Sequence, residues 1–537
     1  MNDKVAKLLR MWADLKGRRV NWETHWRQVS QYVIPNKVNV FDFMTKAKGD
    51  EKHQRLYDGT PEHFNELLAS ALHSMLTNPT QQWFDLSSGD EDLDKNPEVK
   101  AWMQKLVRKM HQLLNNSNFN TEIHELFLDL GSFGTGVLRV VEDKDFIFRF
   151  NSRPIAEHHI KENSLGEVDT VFTPVKMTVR QISQKFGSAW LADEKISSQN
   201  LLKTPEKEFT VIHAVFPRED AKELSAEGKT KAFASFHFID NPAIILKESG
   251  FNELPYIVSR WLKVSGEVYG RSPSMKALPD IRMLNATMRD TIRSAQKVTD
   301  PPLMVPDDGM LNPTDTRPGG INYYRAGTPD RIFPLETRGQ PRIGFDVIND
   351  IRSRISKHYF IDQLQLRESD RMTATEVLQR TDEQLRLLGP ILGRQHFELL
   401  QPLVARMLSI MVKKKEMPLD MPDELKNISP QVKFVSQIAK AQQVAEGQNI
   451  NRVIEQVGFL IQSDPSNMDI LDSEEIIRFS ANIHGLPEEL VRRPEEIQEL
   501  RQQRAQEQQA LLQSQLAAEE AKTNETNAKA QQTAQAT

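Results

Sequence analysis

The sequence predicts a mainly helical α+β fold, and three observations lead to this prediction. Apolar residues recur at helical spacing through most of the first 131 residues and again after residue 272. Short runs rich in β-branched and aromatic residues occupy the region between them. A chain of 537 residues, 39% hydrophobic and 27% charged, is also long enough to bury several cores.

The N-terminal region predicts four helices in succession. The first run of helically spaced apolar residues covers 4–34. The second helix begins near Asp58 or Thr60, because either side chain can accept a hydrogen bond from the first turn. The third and fourth helices cover 97–115 and 119–131.

Residues 137–260 change to short runs that are typical of strands separated by turns. The runs are 137–141, 146–150, 168–172, 209–216, 232–239 and 256–261. They predict a largely antiparallel region. The glycines of segment 131–136 precede a strand rather than a helix, so they predict a tight turn and not a dinucleotide site.

A long helix is predicted from Pro273 to Thr299, with two faces of different chemistry. Its apolar stripe consists of Ile281, Leu284, Met288, Ile292 and Ala295, and its basic stripe of Arg282, Arg289, Arg293 and Lys297. Two such faces predict two different partners. A solvated basic face, paired with Asp290 or with acids elsewhere, is an equally good interpretation.

Prolines and glycines are concentrated in 300–344, which permits only short strands and turns there. Helical spacing then returns over 345–359. The chain therefore places a Pro- and Gly-rich excursion between two amphipathic helices.

A polar loop is predicted over 367–372, followed by a long helix. Thr373 and Glu376 have the spacing of a capping box, which marks the start of that helix. Pro390 and Pro402 should kink it, because each lacks the N–H that the helix needs.

Charge and composition exclude several classes of protein. The net charge is −5, from 69 basic and 74 acidic residues, so any contact with nucleic acid must be local or weak. The chain contains no cysteine, which excludes disulfides and thiolate metal sites. No stretch approaches the roughly 20 apolar residues needed to cross a bilayer.

Segment 228–230, Gly-Lys-Thr, matches the end of a phosphate-binding loop. Glu223 stands where the first glycine of that loop belongs, and its carboxylate would repel phosphate. The segment also lies between two strand-like runs, which favours a hairpin turn. A nucleotide-hydrolysing enzyme is therefore the weaker interpretation.

Other candidate motifs are incomplete. Asp90, Asp92 and Asp94 match the first ligands of an EF-hand, but the sharp-turn glycine and the final glutamate are missing. The pair His158-His159 lacks a suitably spaced third ligand. We therefore predict no catalytic residue, no metal site and no cofactor.

A set of short motifs runs in a fixed order through the chain. They are Tyr32-Val-Ile-Pro35, Leu68-Ala-Ser-Ala-Leu72, Leu76-Thr-Asn-Pro79, Trp83-Phe84, Ser117-Asn-Phe119, Gly134-Thr-Gly136, Tyr269-Gly-Arg-Ser272, Ser294-Ala-Gln-Lys-Val298 with Pro301-Pro302, and Thr373-Ala-Thr-Glu376 followed by Pro402-Leu-Val404. Together they make the chain resemble the head-to-tail connecting (portal) proteins of short-tailed phages, the podoviruses. The resemblance spans nearly the whole chain.

The resemblance implies a portal fold, assembled as a ring, usually of twelve copies, around a DNA-wide channel. The implied segments are an α/β wing (1–270), a first stem helix (271–298), a clip (299–344), a second stem helix (345–361), a channel loop (362–372), a kinked long helix with its neighbours (373–470), crown or C-terminal helices (471–522) and a disordered tail (523–537). A clip protruding from a stem requires a Pro/Gly-rich excursion between two helices, as this sequence has.

A conduit must let DNA pass, and each neutralised phosphate adds to salt-dependent affinity. Twelve copies of a chain of charge −5 carry −60, so we expect a mostly acidic bore with a few basic rings. The candidates are Arg367 and Arg371 on the implied channel loop, and Arg289, Arg293 and Lys297 on the implied stem.

The resemblance also implies partners. These are further copies in a dodecamer, double-stranded DNA, the terminase large subunit, tail adaptor and tube proteins, and the major capsid and scaffolding proteins, with no membrane. The implied location is a capsid vertex of the virion, after assembly in the host cytoplasm. Candidate anchors on the clip are Tyr323, Tyr324, Ile332 and Phe333, although packing within the clip explains them equally well. Two alternatives remain, a nucleotide-hydrolysing packaging enzyme similar to a terminase, and a ring-shaped tail adaptor without a portal role.

Overall fold

The computed structural model describes residues 3–40, 56–94, 96–143, 146–192, 204–221, 231–301, 303–304, 333–334, 341–364, 387–419, 421–425 and 430–434, with short pieces beyond, of which 496–510 is the longest. The chain divides into two units. The first comprises Met1–Trp83 and Met110–Met417, and the second Phe84–Lys109 and Pro418–Thr537.

In chain order, the main described helices are α1 (Asp3–Arg18), α2 (Val20–Val33), α3 (Thr60–Leu76), α4 (Glu91–Asp94), α5 (Pro97–Asn116), α6 (Phe119–Phe133), α7 (Val179–Phe186), α8 (Pro273–Thr299), α9 (Pro341–His358), α10 (Ile361–Leu364) and α11 (Gln401–Lys414). Residues 387–395 are also helical and lead through a π-helical turn, His396–Leu400, into α11. The helices predicted over 97–115 and 119–131 are confirmed as α5 and α6.

The described strands are β1 (Phe84–Ser87), β2 (Thr135–Glu142), β3 (Phe148–Arg153), β4 (His159–Glu162), β5 (Val168–Thr178), β6 (Glu208–Pro217), β7 (Phe233–Ile239), β8 (Ile244–Phe251), β9 (Tyr256–Arg260), β10 (Leu303–Met304), β11 (Phe333–Pro334) and β12 (Gln431–Phe434). They form a five-stranded sheet in the order β4-β5-β6-β7-β8, a three-stranded sheet in the order β3-β2-β9, and the pairs β1-β12 and β10-β11. Every pairing is antiparallel, which confirms the predicted arrangement of 137–260.

Helices cover both faces of the five-stranded sheet. Leu8 and Leu15 of α1 pack on one face, against a cluster that includes Phe216 and Phe236. Ile182 of α7 packs in a separate cluster. The sheet residues of this cluster alternate along the strands with those of the first cluster, so they lie on the opposite face. The sheet therefore has a core on each side, so its strands are apolar on both faces.

The helix predicted over 4–34 is interrupted, and that prediction is wrong at Arg19. The Arg19 side chain is 1% exposed, and its guanidinium donates hydrogen bonds to the backbone oxygens of Ala156 and His158. It also donates to Glu23 at 2.9 Å. The interruption thus places a buried cation against the segment that precedes β4.

The tight turn predicted around Gly134 is confirmed. Gly134 ends α6 with φ of +76°, in the left-handed region that favours glycine, and its N–H donates to the Leu130 oxygen at 3.0 Å. The Gly134 oxygen accepts from the Trp261 N–H at 2.9 Å. A Cβ atom on Gly270 would collide with that same oxygen, so two glycines allow these backbone segments to touch.

Candidate functional site

Helix α8 carries three of the predicted channel residues and begins where the sequence predicts. Ser272 Oγ accepts a hydrogen bond from the Met275 N–H at 3.0 Å, and Pro273 occupies the first turn, where its missing N–H costs nothing. Ser272 Oγ also donates to the Ser132 oxygen at 2.8 Å. With 27 residues at about 1.5 Å each, α8 is roughly 40 Å long.

Helix α9 packs along α8 through buried apolar side chains. These are Ile281 and Leu284 of α8, and Ile348, Ile351 and Ile355 of α9. Gly344 lies at a close approach of the two helices, because a Cβ atom there would collide with the Thr291 side chain. Helix α9 begins at Pro341 rather than at the predicted Phe345, since proline suits the first turn of a helix.

The basic stripe of α8 lies on the surface. Arg282, Arg293 and Lys297 are exposed. The Arg289 side chain is bound by its neighbour, because its Nε lies 2.9 Å from an oxygen of Asp290. Arg293 and Lys297 also line a shallow depression with Asp300 at the end of the helix.

The apolar stripe of α8 is only partly covered. Ile281 and Leu284 are buried, but Ile292 is 37% exposed. On α9, Phe345 is 48% and Val347 is 45% exposed. Within a single chain, the helix pair therefore leaves large apolar side chains in contact with solvent.

Polar contacts fix the other end of this helix pair to the N-terminal helices. Arg352 of α9 forms a 2.7 Å ion pair with Asp58, whose other oxygen accepts from the Thr60 N–H at 2.8 Å. Burial alone would raise the pKa of Asp58, but the hydrogen bonds from Thr60 and Arg352 outweigh it and hold the pKa below its usual value. Asp58 therefore stays charged at neutral pH.

Several predicted site residues lie outside the described residues. They are Arg367 and Arg371 of the implied channel loop, and Tyr323, Tyr324 and Ile332 of the implied clip. Phe333 belongs to β11, which forms an antiparallel pair with β10. The roles proposed for these residues stay predictions.

Sequence analysis missed a charged cluster that joins both larger sheets to the π-helical turn. Arg260 of β9 is 2% exposed and forms a two-pronged contact with Glu398, Nη2 to Oε1 at 2.7 Å and Nε to Oε2 at 3.1 Å. Its Nη1 pairs with Glu162 of β4. The Gln395 side chain donates to the Arg260 oxygen at 2.9 Å.

No local pattern connects these three charged residues, because Glu162 and Glu398 lie 98 and 138 positions from Arg260. The one sequence signal nearby is Pro402, which predicts a departure from regular helix close to Glu398. The π-helical turn lies immediately before that proline.

The rejected motifs have structural surroundings of their own. Segment 228–230 lies outside the described residues, but it connects β6 and β7, which are antiparallel neighbours rather than a strand and a helix. Asp94 accepts hydrogen bonds from the Ser88 N–H and side chain, both at 2.7 Å. His158 and His159 are buried. Among the described residues, no group of three or more His, Asp or Glu side chains is arranged to hold a metal ion.

None of the described helices is both long and apolar enough to span a membrane.

Comparison with known proteins identifies the class. Residues 5–491 match the family described as bacteriophage head to tail connecting protein. The chain is 30% identical to the probable portal protein of Bordetella phage BPP-1, covering 95% of this chain and 92% of the relative. It is 30% identical to the portal protein of Salmonella phage epsilon15, covering 96% and 94% respectively, and 20% identical to that of Escherichia phage T7, covering 76% and 75%.

The chain therefore belongs to the family of bacteriophage head to tail connecting proteins. Its function is that of a portal, and the family resemblance seen in the sequence is confirmed. Proteins of this kind are structural connectors and components of the virion. One solved structure, the neck of an empty GTA particle, covers 77% of the chain at 10% identity and a TM-score of 0.38, and we base no conclusion on a similarity this low.

Proposed function

We propose that this chain assembles into a ring of twelve copies around a central channel, with α8 and α9 in the channel wall. The observation that supports this is the apolar surface of the helix pair. Ile292, Phe345 and Val347 are exposed in the single chain, and burial against a neighbouring copy would remove them from water. A second copy is the natural occupant, because a closed ring repeats one interface between identical subunits.

The channel conducts double-stranded DNA in this proposal. Arg293 and Lys297 supply a basic ring on α8, and Arg367 and Arg371 supply another on the implied channel loop. The remaining surface is acidic on average, since the net charge is −5 per chain. Few cationic contacts on an acidic bore keep the affinity for phosphate low, so the duplex can move.

The other partners follow from the position of a portal. The clip would bind the terminase large subunit during packaging and the tail adaptor and tube proteins afterwards, with Tyr323, Tyr324, Ile332 and Phe333 as anchors. The wing would meet the scaffolding and major capsid proteins at one capsid vertex, after assembly in the host cytoplasm. The energy for packaging would come from the terminase.

This chain would then have no catalytic role. The antiparallel strands β6 and β7 on either side of segment 228–230 support this, because a phosphate-binding loop joins a strand to a helix. ATP hydrolysis by the purified chain, abolished by Lys229→Ala, would favour the enzyme instead.

Negative-stain imaging and light scattering of the purified chain test the ring. We expect rings with a central hole, and solitary particles at every concentration and with every assembly partner would refute it. Phe345→Asp should reduce ring formation. The control is Leu165→Asp, because Leu165 is 82% exposed in a turn of the first unit and should tolerate the change.

The DNA assignment has its own test. Replacing Arg367 and Arg371 with Glu, or Arg293 and Lys297 with Glu, should impair packaging or retention of DNA while rings still form. Packaging at the wild-type level in both variants would count against these residues as channel contacts.

A further inference from the structure

The first unit contains a cavity of about 250 Å³ lined by both of its larger sheets and by α7. Its lining includes four basic side chains and no acidic one. The basic residues are Arg139, Arg149, Arg153 and Lys185. Three histidines and Tyr256 supply most of the remaining polar groups. This composition gives the cavity an excess of positive charge and of hydrogen-bond donors.

Two of the four cations are paired outside the cavity lining. Arg153 forms a 2.8 Å ion pair with Glu157, and Arg149 lies 3.5 Å from Asp143. Arg139 differs, because its Nε is buried and no group among the described residues accepts a hydrogen bond from it. Its guanidinium lies over the Tyr256 ring, 5.4 Å from the centroid. Arg139 therefore lines the cavity and carries one donor without an acceptor among the described residues.

The histidines add further unused donors or acceptors. His158 is 2% exposed, its Nδ1 lies 2.8 Å from Thr173 Oγ1, and its Nε2 is buried without a partner among the described residues. His237 stacks on His213 with ring centroids 4.0 Å apart, and its Nδ1 is likewise buried and unpartnered. Burial, aided by the neighbouring cations, lowers the pKa of His158 and of His237 to about 3. Both rings are thus neutral at pH 7, and each carries one N–H.

Buried polar atoms without partners are costly. A bound anion would accept from Arg139 and, in the tautomers that place the N–H on the unpartnered nitrogen, from His158 and His237. The donors come from β2, from the residue before β4, from β7 and from α7, so they approach from several directions. This arrangement suits a tetrahedral oxyanion better than a planar carboxylate. The cavity volume is well above the roughly 30 Å³ occupied by one liquid water, so an ion fits with some of its hydration.

We propose that this cavity binds an oxyanion of the phosphate class, with Arg139 and Lys185 as its charged ligands and His158 and His237 as neutral donors. The site is separate from the channel surface on α8 and α9. It gives the wing of this portal a binding function of its own.

The test is isothermal titration of the full chain with potassium phosphate, against potassium chloride of equal ionic strength. We expect saturable binding of one phosphate per chain. Arg139→Gln should weaken it about tenfold or more, because a charge-assisted contact is lost. Lys185→Gln should weaken it about threefold. The matched control is Arg180→Gln, since Arg180 is an exposed residue of the same helix that does not line the cavity.

Lys185 is exposed, so its variant should fold and can decide the matter if Arg139→Gln does not fold. Absence of saturable binding would overturn the proposal. So would equal weakening in Lys185→Gln and Arg180→Gln, which would indicate general screening. Acetate binding as tightly as phosphate would overturn the assignment of a tetrahedral anion.

Discussion

The cluster around Arg260 should be far more sensitive to substitution than an exposed ion pair of the first unit. Arg260→Ala removes a buried guanidinium that pairs with both Glu398 and Glu162. Their side chains are only 16% and 15% exposed, so water can replace little of what is lost. Removing one partner of a buried ion pair costs about 3–5 kcal/mol. Lys263 lies 2.8 Å from Glu162, so it reduces the free-energy cost at Glu162 but not at Glu398.

Urea denaturation followed by tryptophan fluorescence measures this effect. Trp261 is next to Arg260 in the chain and is buried, so its emission reports on the same region. The control is Arg18→Ala, which removes an exposed pair with Asp14 and should cost less than about 1 kcal/mol. If Arg260→Ala lowered the free energy of unfolding no more than Arg18→Ala, the cluster would not stabilise the fold and the reasoning would be wrong.

A double variant separates two costs, the loss of the Arg260–Glu398 ion pair and the burial of the Glu398 carboxylate without Arg260. Arg260→Met alone leaves Glu398 buried with Arg394, at 3.1 Å, as its remaining ion-pair partner, whereas Arg260→Met with Glu398→Leu removes both charges of the buried pair. Replacing a buried pair with apolar groups is often close to neutral, so the double variant should be the more stable of the two. The opposite order would mean that Glu398 keeps adequate partners without Arg260, with Arg394 at 3.1 Å as the nearest candidate.

Two further predictions concern the contacts around α8. The pKa of Asp58 is lowered in the fold, so the stability from its pair with Arg352 is present at neutral pH and lost as the pH falls from about 4 through the folded-state pKa. Asp58→Asn should therefore lower the denaturation midpoint most at pH 7 and least near pH 3, and a difference independent of pH would contradict this. Gly270→Ala should destabilise the chain by about 2 kcal/mol or more in the same denaturation assay, because its Cβ meets the Gly134 backbone. Gly17→Ala is the control, since nothing lies within 4 Å of the added carbon, and equal effects would refute the steric argument.

Long elements with strong periodic patterns could be predicted from the sequence. The limits of α8 follow from Ser272 and Pro273 at its start and from the prolines after Thr299. Strand β8 was missed, because Lys247, Glu248 and Gly250 break the pattern of alternating apolar residues. A strand at the edge of a sheet needs fewer buried side chains than a central one, so its sequence signal is weak.

Helix α7 was also missed, although a usable signal exists. Thr178 and Gln181 form a capping box, in which Thr178 Oγ1 accepts from the Gln181 N–H and the Gln181 side chain accepts from the Thr178 N–H. The helix has only 8 residues, too few for periodicity to stand out. The oxyanion cavity could not be predicted, because its ligands come from different strands and a helix, and sequence spacing contains no information about that juxtaposition.

The contacts of Arg260 and Gly270 form within one chain, whereas the exposed surface of the helix pair is proposed to form contacts between chains. Arg260 and Gly270 are enclosed within one chain, so their substitution lowers the stability of a single copy. Phe345 and Ile292 are exposed in one chain, so making them polar should change its unfolding free energy by no more than about 0.5 kcal/mol. If the chain closes into a ring as proposed, the same change is repeated at every interface, and a small loss per contact becomes large for the closed assembly. We therefore expect variants at Arg260 and Gly270 to lower the stability of the single chain. Variants at Phe345 and Ile292 should reduce ring formation and leave that stability nearly unchanged.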